Sequence, residues 1–227
     1  YASYWLQSYW TMKHGIETIG NIWRESVYPE DAISAYTRLY CNGDWSKTKK
    51  ELYDYASRMA TFDIDGVREY SEGYLGRYHT TFYTSGEYYQ VAYANCPEAT
   101  GFNVIPLNVP DAGNMVVAAD FVGLEPGATL ASDDPGEYME SETVKATTTK
   151  YNTAGSAGNM GWMYGFVALK QDGSREYGEA HFDKSGRVSF TVPAGTQSLY
   201  FIVQAAPQNY VVHPWDEKEL TDEQFPY

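Results

Sequence analysis

His14 and Glu17 form the one local pair of side chains that we single out as able to bind a metal or relay a proton. On a continuous helix, residues three positions apart share a face, so the imidazole and the carboxylate would meet. Gly15 stands between them, and a glycine at this point favours the end of a helix. A histidine that interacts with the terminal carbonyl groups of a helix is the more common arrangement. His14 is therefore our candidate catalytic residue, with this structural role as the alternative.

The sequence lacks the common local motifs of metal and nucleophile chemistry. It contains no His-Glu-x-x-His, no phosphate-binding glycine loop with lysine, no Gly-x-Ser-x-Gly and no Cys-x-x-Cys. A catalytic zinc site needs three converging protein ligands and one open position. Five acidic residues in one stretch lack the ordered spacing of a calcium loop and predict a solvated loop: Asp133, Asp134, Glu137, Glu140 and Glu142. We assign no metal ligand and no cofactor to this chain.

Aromatic residues are abundant, with 22 Tyr, 9 Phe and 6 Trp. Most of these rings are expected to pack in the core, since an aromatic excess alone does not establish ligand binding. Exposed rings would stack on a glycan or a protein partner, and four are candidates for such a platform: Trp162, Tyr164, Tyr177 and Trp215. We interpret the run His213-Pro214-Trp215-Asp216 first as a C-terminal clamp, that is, a segment that packs onto the β-rich part and holds the C-terminus there. A binding platform is the second interpretation.

The balance of 16 Lys+Arg against 30 Asp+Glu gives a net charge of −14 and argues against nucleic acid as a partner. No apolar run is long enough to span a membrane. The sequence opens at Tyr1 without a basic and apolar leader, so we expect that this start is a cut and that any targeting signal has been removed. Cys41 and Cys96 have no zinc-type spacing, and both a disulfide and two separate thiols stay open.

Residues 1 to about 90 show helical periodicity. Apolar residues recur at three- and four-residue steps and predict one amphipathic stripe: Trp5, Tyr9, Met12, Ile16, Ile19 and Trp23. Gly15 predicts a first helix that ends at Lys13 or His14 and a second that runs over 16–25.

Three further helices are predicted after this pair. Pro29-Glu30-Asp31 is typical of a helix N-terminus, and Asn42-Gly43 ends that helix. Thr48 and Glu51 have capping-box spacing, which predicts a fourth helix whose apolar face holds Leu52, Tyr55, Ala56 and Met59. A weaker helix carries Ile64, Val67 and Tyr70.

The period changes to two after residue 86. Strands are predicted over 103–109, 114–122 and 160–170, with a turn at Asp172-Gly173 and a long surface excursion over 124–159. The apolar run Leu199–Val203 predicts a central strand buried on both faces. We predict an α+β fold, with a helical domain or subdomain over 1–96 followed by an antiparallel β-sandwich over 97–227.

A set of short motifs is distributed along the chain: Tyr9-Trp10, His14-Gly15, Ile19-Gly20, Trp23-Arg24-Glu25-Ser26, Tyr28-Pro29-Glu30-Asp31, Gly101 to Pro110, Tyr164 to Leu169, His213-Pro214-Trp215-Asp216 and Asp222 to Tyr227. Together these motifs resemble a family of uncharacterised secreted bacterial proteins that have a zincin-like peptidase domain. The resemblance covers nearly the whole chain. It implies that a peptidase-like half with a His-Glu-x-x-His helix precedes helices and a β-sandwich like these.

The resemblance implies that this chain is the C-terminal part of a secreted or surface-attached zinc-peptidase-like protein and is inactive alone. The partner would be the missing N-terminal half, which would hold the zinc, and a peptide would be the ligand. His14 lies where the helical lobe of a two-lobed zincin could present a histidine across the cleft. The alternative is a non-catalytic module that binds a glycan or a protein, which fails if all four candidate rings are buried.

Overall fold

The computed structural model describes residues 4–85, 87–92, 95–125, 140–141, 144–145, 158–212 and 224–227. The chain divides into two compact units. Unit 1 comprises Tyr1–Arg77 and Asn209–Pro214, and unit 2 comprises Tyr78–Gln208 and Trp215–Tyr227. N-terminal helices are followed by antiparallel sheets, so the α+β fold class is confirmed. The division into units falls after residue 77, and the first β-hairpin belongs to unit 2. The domain boundary at residue 96 stays a prediction.

Unit 1 begins with helices α1 (Tyr4–His14) and α2 (Thr18–Glu25). The break between them lies at Gly15, as predicted, and this glycine has a φ of +99°. The predicted continuous apolar stripe is wrong. The side chains of Ile16 and Trp23 are 79% and 80% exposed, while Ile22 is buried. The reason is that the turn at Gly15 changes which face of the second helix points into the unit.

Two helices with acidic N-caps follow. Helix α3 (Ala32–Tyr40) begins after Asp31, which forms a capping box with Ser34, and the chain after it passes through Asn42 and Gly43 with positive φ. Helix α4 (Trp45–Met59) begins after Asp44, whose carboxylate accepts hydrogen bonds from two backbone amides. The predicted start at Thr48 is wrong because Asp44 caps the helix one turn earlier. The predicted apolar face is correct: Leu52, Tyr55, Ala56 and Met59 are buried.

The last predicted helix is only partly formed. Helix α5 (Arg68–Ser71) has four residues and leads into a 3-10 turn over Glu72–Tyr74. Ile64 and Val67 are buried but lie ahead of the helix, and Tyr70 is 78% exposed.

Unit 2 contains eleven strands within its described residues. They are β1 (Phe82–Ser85), β2 (Tyr88–Val91), β3 (Phe102–Leu107), β4 (Val116–Val122), β5 (Glu140–Ser141), β6 (Val144–Lys145), β7 (Trp162–Lys170), β8 (Arg175–Tyr177), β9 (His181–Phe182), β10 (Ser185–Thr191) and β11 (Thr196–Ala205). The main sheet has the order β3-β11-β7-β8, with β9 also paired to β7. Strand β11 is central and Leu199–Val203 is buried, which confirms the prediction for this run. Most of the predicted excursion over 124–159 lies outside the described residues.

A separate antiparallel pair, β4 with β10, packs on the main sheet in a sandwich-like arrangement. Phe121 of β4 stacks on Tyr164 of β7, with ring centroids 4.1 Å apart, and Phe190 of β10 stacks on Phe166. The end of the chain completes this core: the indole of Trp162 donates a hydrogen bond to the carbonyl oxygen of Phe225.

Candidate functional site

The His14 side chain is held at the C-terminal end of α1 by two residues from other helices. Its Nε2 atom lies 2.7 Å from the hydroxyl oxygen of Tyr36 on α3 and 3.3 Å from Oε2 of Glu51 on α4. The helix ends at this point because Gly15 adopts a positive φ that other residues rarely adopt. The imidazole is 19% exposed and the Glu51 side chain 9%. A histidine, a tyrosine and a carboxylate therefore meet in a mostly buried site, which we call the His14 cluster.

Tyr36 determines the direction of the hydrogen bonds in the His14 cluster. Its side chain is fully buried, and its hydroxyl donates a hydrogen bond to Glu51. Burial, and then the hydrogen bond to Glu51, raise the pKa of the Tyr36 phenol far above its ordinary value, so it keeps its proton. Because that proton points to Glu51, the hydroxyl oxygen accepts from His14, which assigns a proton to Nε2. In the neutral ring, Nδ1 is then the atom with a free lone pair.

A second polar group lies next to Glu51. The ammonium group of Lys13 is 4.0 Å from Glu51 and 3.8 Å from Asp54. The Tyr9 hydroxyl donates to Asp54 at 2.8 Å and accepts from Lys13 at 3.1 Å. Burial, followed by the charge of Asp54, raises the pKa of the Tyr9 phenol well above its usual range. Lys13 thus offsets two carboxylates that lie three positions apart on α4, within one turn of that helix.

Aromatic rings enclose the His14 cluster. Trp10 stacks on Tyr36 with centroids 4.3 Å apart and an interplanar angle of 13°. The ring of Tyr40 lies 4.8 Å from that of His14, and its hydroxyl accepts a hydrogen bond from Asn21. The Tyr36 and Tyr40 rings both contact the imidazole, with ring centroids 5.6 and 4.8 Å from it, and they restrict its rotation. The cluster is mostly shielded from water, because the His14 side chain is 19% exposed and that of Glu51 is 9% exposed. Electrostatic interactions are stronger in such an environment.

Glu17, the partner predicted for His14, is not part of this cluster. It is the exposed N-cap residue of α2, beyond the break at Gly15. Sequence reasoning missed Tyr36 and Glu51 because they lie 22 and 37 positions from His14. The sequence did place His14, Tyr36 and Glu51 on predicted helices that each have an apolar face. Such a pattern predicts that the helices pack together, but it does not indicate which of their polar residues come into contact.

Within the described ranges, no three histidine, cysteine, aspartate or glutamate side chains are close enough together to hold a metal ion. His79 lies 3.2 Å from the Thr81 hydroxyl, and the His181 ring stacks on Tyr164. His213 and the side chains of the five acidic residues considered for calcium lie outside the described part. Cys41 and Cys96 are free thiols, one in each unit.

The four candidate ligand-binding rings are placed differently from one another. Trp162 and Tyr164 are buried in the core of unit 2, with 0% and 1% exposure, so neither has a face for stacking on a ligand. Tyr177 is 38% exposed on β8. Trp215, with the predicted C-terminal clamp, lies outside the described residues. The more exposed rings of unit 2 are those of Tyr88 and Tyr89 on the β1–β2 hairpin, at 66% and 71%.

The helical unit and the sandwich-like β unit together correspond to one family model. A family of unknown function, DUF6055, matches residues 1–227, and the chain belongs to this family. The comparisons with curated proteins and with solved structures found no match. None of the helices in the described segments is long and apolar enough to cross a membrane.

Proposed function

We propose that this chain forms the C-terminal helical lobe and accessory β-domain of a secreted zinc-peptidase-like protein, and that the helical lobe presents His14 to the reacting group. The observation that carries the proposal is the His14 cluster, in which Tyr36 and Glu51 orient an imidazole that keeps 19% of its surface exposed. The family motifs that contain Tyr9, Trp10 and His14 support it further, since they include the residues of α1 around this cluster.

The cluster suits proton transfer or hydrogen bonding to a polar substrate group. With Nε2–H directed at Tyr36, the neutral ring has Nδ1 as its proton acceptor. When Nδ1 also carries a proton, the ring becomes a cationic donor, and Glu51 at 3.3 Å is its counter-charge. A donor at a developing negative charge, or a general base, contributes typically ~10²–10⁴-fold to a rate. The family resemblance is what assigns the zinc to the preceding peptidase-like half in this proposal.

The test compares this chain with the parent protein, by which we mean the longer protein that would include the preceding peptidase-like half. Zinc content and hydrolysis of a quenched fluorescent peptide are measured for both. We expect zinc and activity in the parent protein and neither in the chain alone. In the parent, His14→Ala should lower kcat by about 10²-fold or more without changing the zinc content. The matched control is His79→Ala, because His79 is an exposed residue of unit 2 whose imidazole lies 3.2 Å from the Thr81 hydroxyl and outside the His14 cluster. A parent protein without metal and without activity would contradict the proposal.

A second candidate function is glycan binding by the β1–β2 hairpin, which exposes the rings of Tyr88 and Tyr89. Aromatic rings of this kind stack on sugar faces. Affinity gel electrophoresis with soluble cellulose, xylan and chitosan derivatives would test it. Retardation that is lost in the Tyr88→Ala, Tyr89→Ala variant but kept in Tyr74→Ala, an exposed ring in unit 1, is the expected result. Equal migration in the presence and absence of all three polymers would exclude it.

A further inference from the structure

A groove on the surface of unit 1 is lined by helix α1, helix α2 and the loop that precedes α5. Its volume is about 370 Å³, which is within the size range of small-ligand sites, and it is open to solvent. Its walls come from α1 between Tyr4 and Met12, from Ile19 of α2, and from the loop residues Asp65 and Gly66. We call it the Asp65 groove. None of its lining residues belongs to the His14 cluster, so it is a separate site that the proposed function does not use.

The carboxylate of Asp65 is the charged group of this groove. Among the lining residues in the described segments, no other side chain carries a charge. The backbone amide of Asp65 donates a hydrogen bond to the sulfur of Met12 at 3.5 Å, which ties the loop to α1. Gly66 follows with a φ of +74°, a conformation that favours glycine. A contact with α1 and a glycine turn therefore fix the place of this carboxylate at the groove.

The charge of Asp65 is not neutralised by the residues around it. Two positions earlier, Asp63 forms ion pairs with both Arg58, at 3.3 Å, and Arg68. In the part of the chain that the structure describes, the exposed side chain of Asp65 itself has neither a hydrogen bond nor an ion pair. The net charge of −14 attracts cations to the chain over a longer range. A cationic ligand is therefore the one that this groove favours.

Uncharged side chains complete the Asp65 groove. Gln7, Ser8 and Thr11 supply one amide group and two hydroxyl groups from α1, and within the described ranges these side chains have no hydrogen-bond partner. Met12 and Ile19 are half-buried and supply an apolar surface. The groove thus combines a carboxylate, neutral acceptors and an apolar wall. A ligand that matches all three has an aliphatic stem and a cationic head group that only donates hydrogen bonds, as lysine and arginine side chains do.

We propose that the Asp65 groove binds one lysine or arginine side chain of a peptide. Asp65 pairs with the ammonium or guanidinium group, and the oxygen atoms of Gln7 and Thr11 accept its remaining N–H groups. Met12 and Ile19 contact the methylene stem. A peptide side chain fits better than a free polyamine, because the single carboxylate of the lining compensates a single positive charge. The groove is open, so the peptide backbone can remain in solvent beside it.

The first test uses the whole chain, labelled with nitrogen-15, and follows its backbone amide signals by NMR during titrations. Nα-acetyl-lysine methylamide should shift the signals of Thr11, Met12 and Gly66 in a saturable manner. The expected dissociation constant is about 1 mM, because the ion pair is exposed and the buried area is small. The norleucine analogue keeps the aliphatic stem without the ammonium group and should bind at least about threefold more weakly. No saturable shift up to about 20 mM, or equal binding of the two compounds, would overturn the proposal.

The second test uses variants to locate the site. Asp65→Asn removes the charge, keeps the shape of the side chain, and should raise the dissociation constant of the lysine compound about three- to fivefold. Ser8→Leu keeps the charge but narrows the groove, and it should weaken binding by at least as much. Glu17→Gln is the matched control, because Glu17 is an exposed carboxylate of the same unit that does not line the groove. The helix content of each variant is checked by circular dichroism.

Two results of these titrations would overturn the site or its ligand. Equal effects of Asp65→Asn and Glu17→Gln, or an unchanged affinity of Ser8→Leu, would mean that the compound is attracted by the overall charge and not by the groove. Spermidine that binds more than about tenfold more tightly than the lysine compound would identify a free polyamine, and not a peptide side chain, as the ligand. None of these measurements involves zinc or peptide hydrolysis, so their outcome is independent of the proposed function.

Discussion

Replacement of Tyr36 by phenylalanine tests whether the His14 cluster is a connected unit. The change removes one hydroxyl group and keeps the buried ring that stacks on Trp10. Glu51 loses the hydrogen bond that Tyr36 donates, and the Nε2–H of His14 loses its acceptor at 2.7 Å. Glu51 is only 9% exposed, so water cannot readily replace the missing donor.

The expected loss of unfolding free energy is about 2 kcal/mol, because hydrogen bonds to charged groups are worth ~1.5–3 kcal/mol and the remaining partners compensate in part. Tyr40→Phe is the matched control. The Tyr40 hydroxyl accepts from the neutral Asn21 amide at 3.1 Å and is only half-buried. Its removal should cost about 0.5–1 kcal/mol.

Urea unfolding followed at 222 nm measures both variants, because the α-helices of the described residues all lie in unit 1. With a denaturant slope of about 1–2 kcal/mol/M, the midpoint of Tyr36→Phe should fall by about 1–2 M. A double-mutant cycle with Glu51→Gln should give a coupling energy of about 1 kcal/mol or more. If Tyr36→Phe costs no more than Tyr40→Phe, the cluster is not an energetically connected unit and the reasoning is refuted.

Three other predictions concern packing, pH and helix capping. Gly123→Ala should destabilise unit 2 by about 1–3 kcal/mol, since the added methyl group would overlap the buried Trp162 ring. In the control variant Gly73→Ala, the added methyl group meets no atom within 4 Å. Near-UV circular dichroism during urea unfolding measures the effect of Gly123→Ala. A hydrogen bond from Arg38 lowers the pKa of Glu30 to about 2, so the stability that this pair contributes is present above the ordinary glutamate pKa and is lost as the pH falls towards 2. Glu30→Gln should flatten that part of the pH–stability curve by less than about 1 kcal/mol, and an unchanged curve would contradict the assignment. Asp31→Ala should lower the free energy of unfolding by about 1–2 kcal/mol in thermal unfolding, and by more than Asp44→Ala does. The reason is that Asp31 caps α3 and also accepts a hydrogen bond from the Tyr210 hydroxyl at 2.6 Å. Equal losses in the two variants would mean that the hydrogen bond from Tyr210 adds no stability.

The local breaks and the buried central strand could be predicted from the sequence. Gly15 and the pair Asn42-Gly43 end helices because their backbone conformation depends mainly on the residue itself. The run Leu199–Val203 is a central strand because five consecutive apolar residues cannot all be buried at a sheet edge. The predicted helix start at Thr48 was wrong because two possible N-caps lie close together, Asp44 and Thr48, and Asp44 is the residue that caps the helix.

The sequence by itself determined where most elements begin and end, since capping, glycine conformations and apolar periodicity act over a few residues. Only the tertiary structure decided that His14 meets Tyr36 and Glu51, that Ile16 and Trp23 face outward, and that Trp162 is buried. These outcomes depend on how each helix or strand is rotated against its neighbours. That rotation results from the packing of all the side chains in a unit, so no short stretch of sequence contains it.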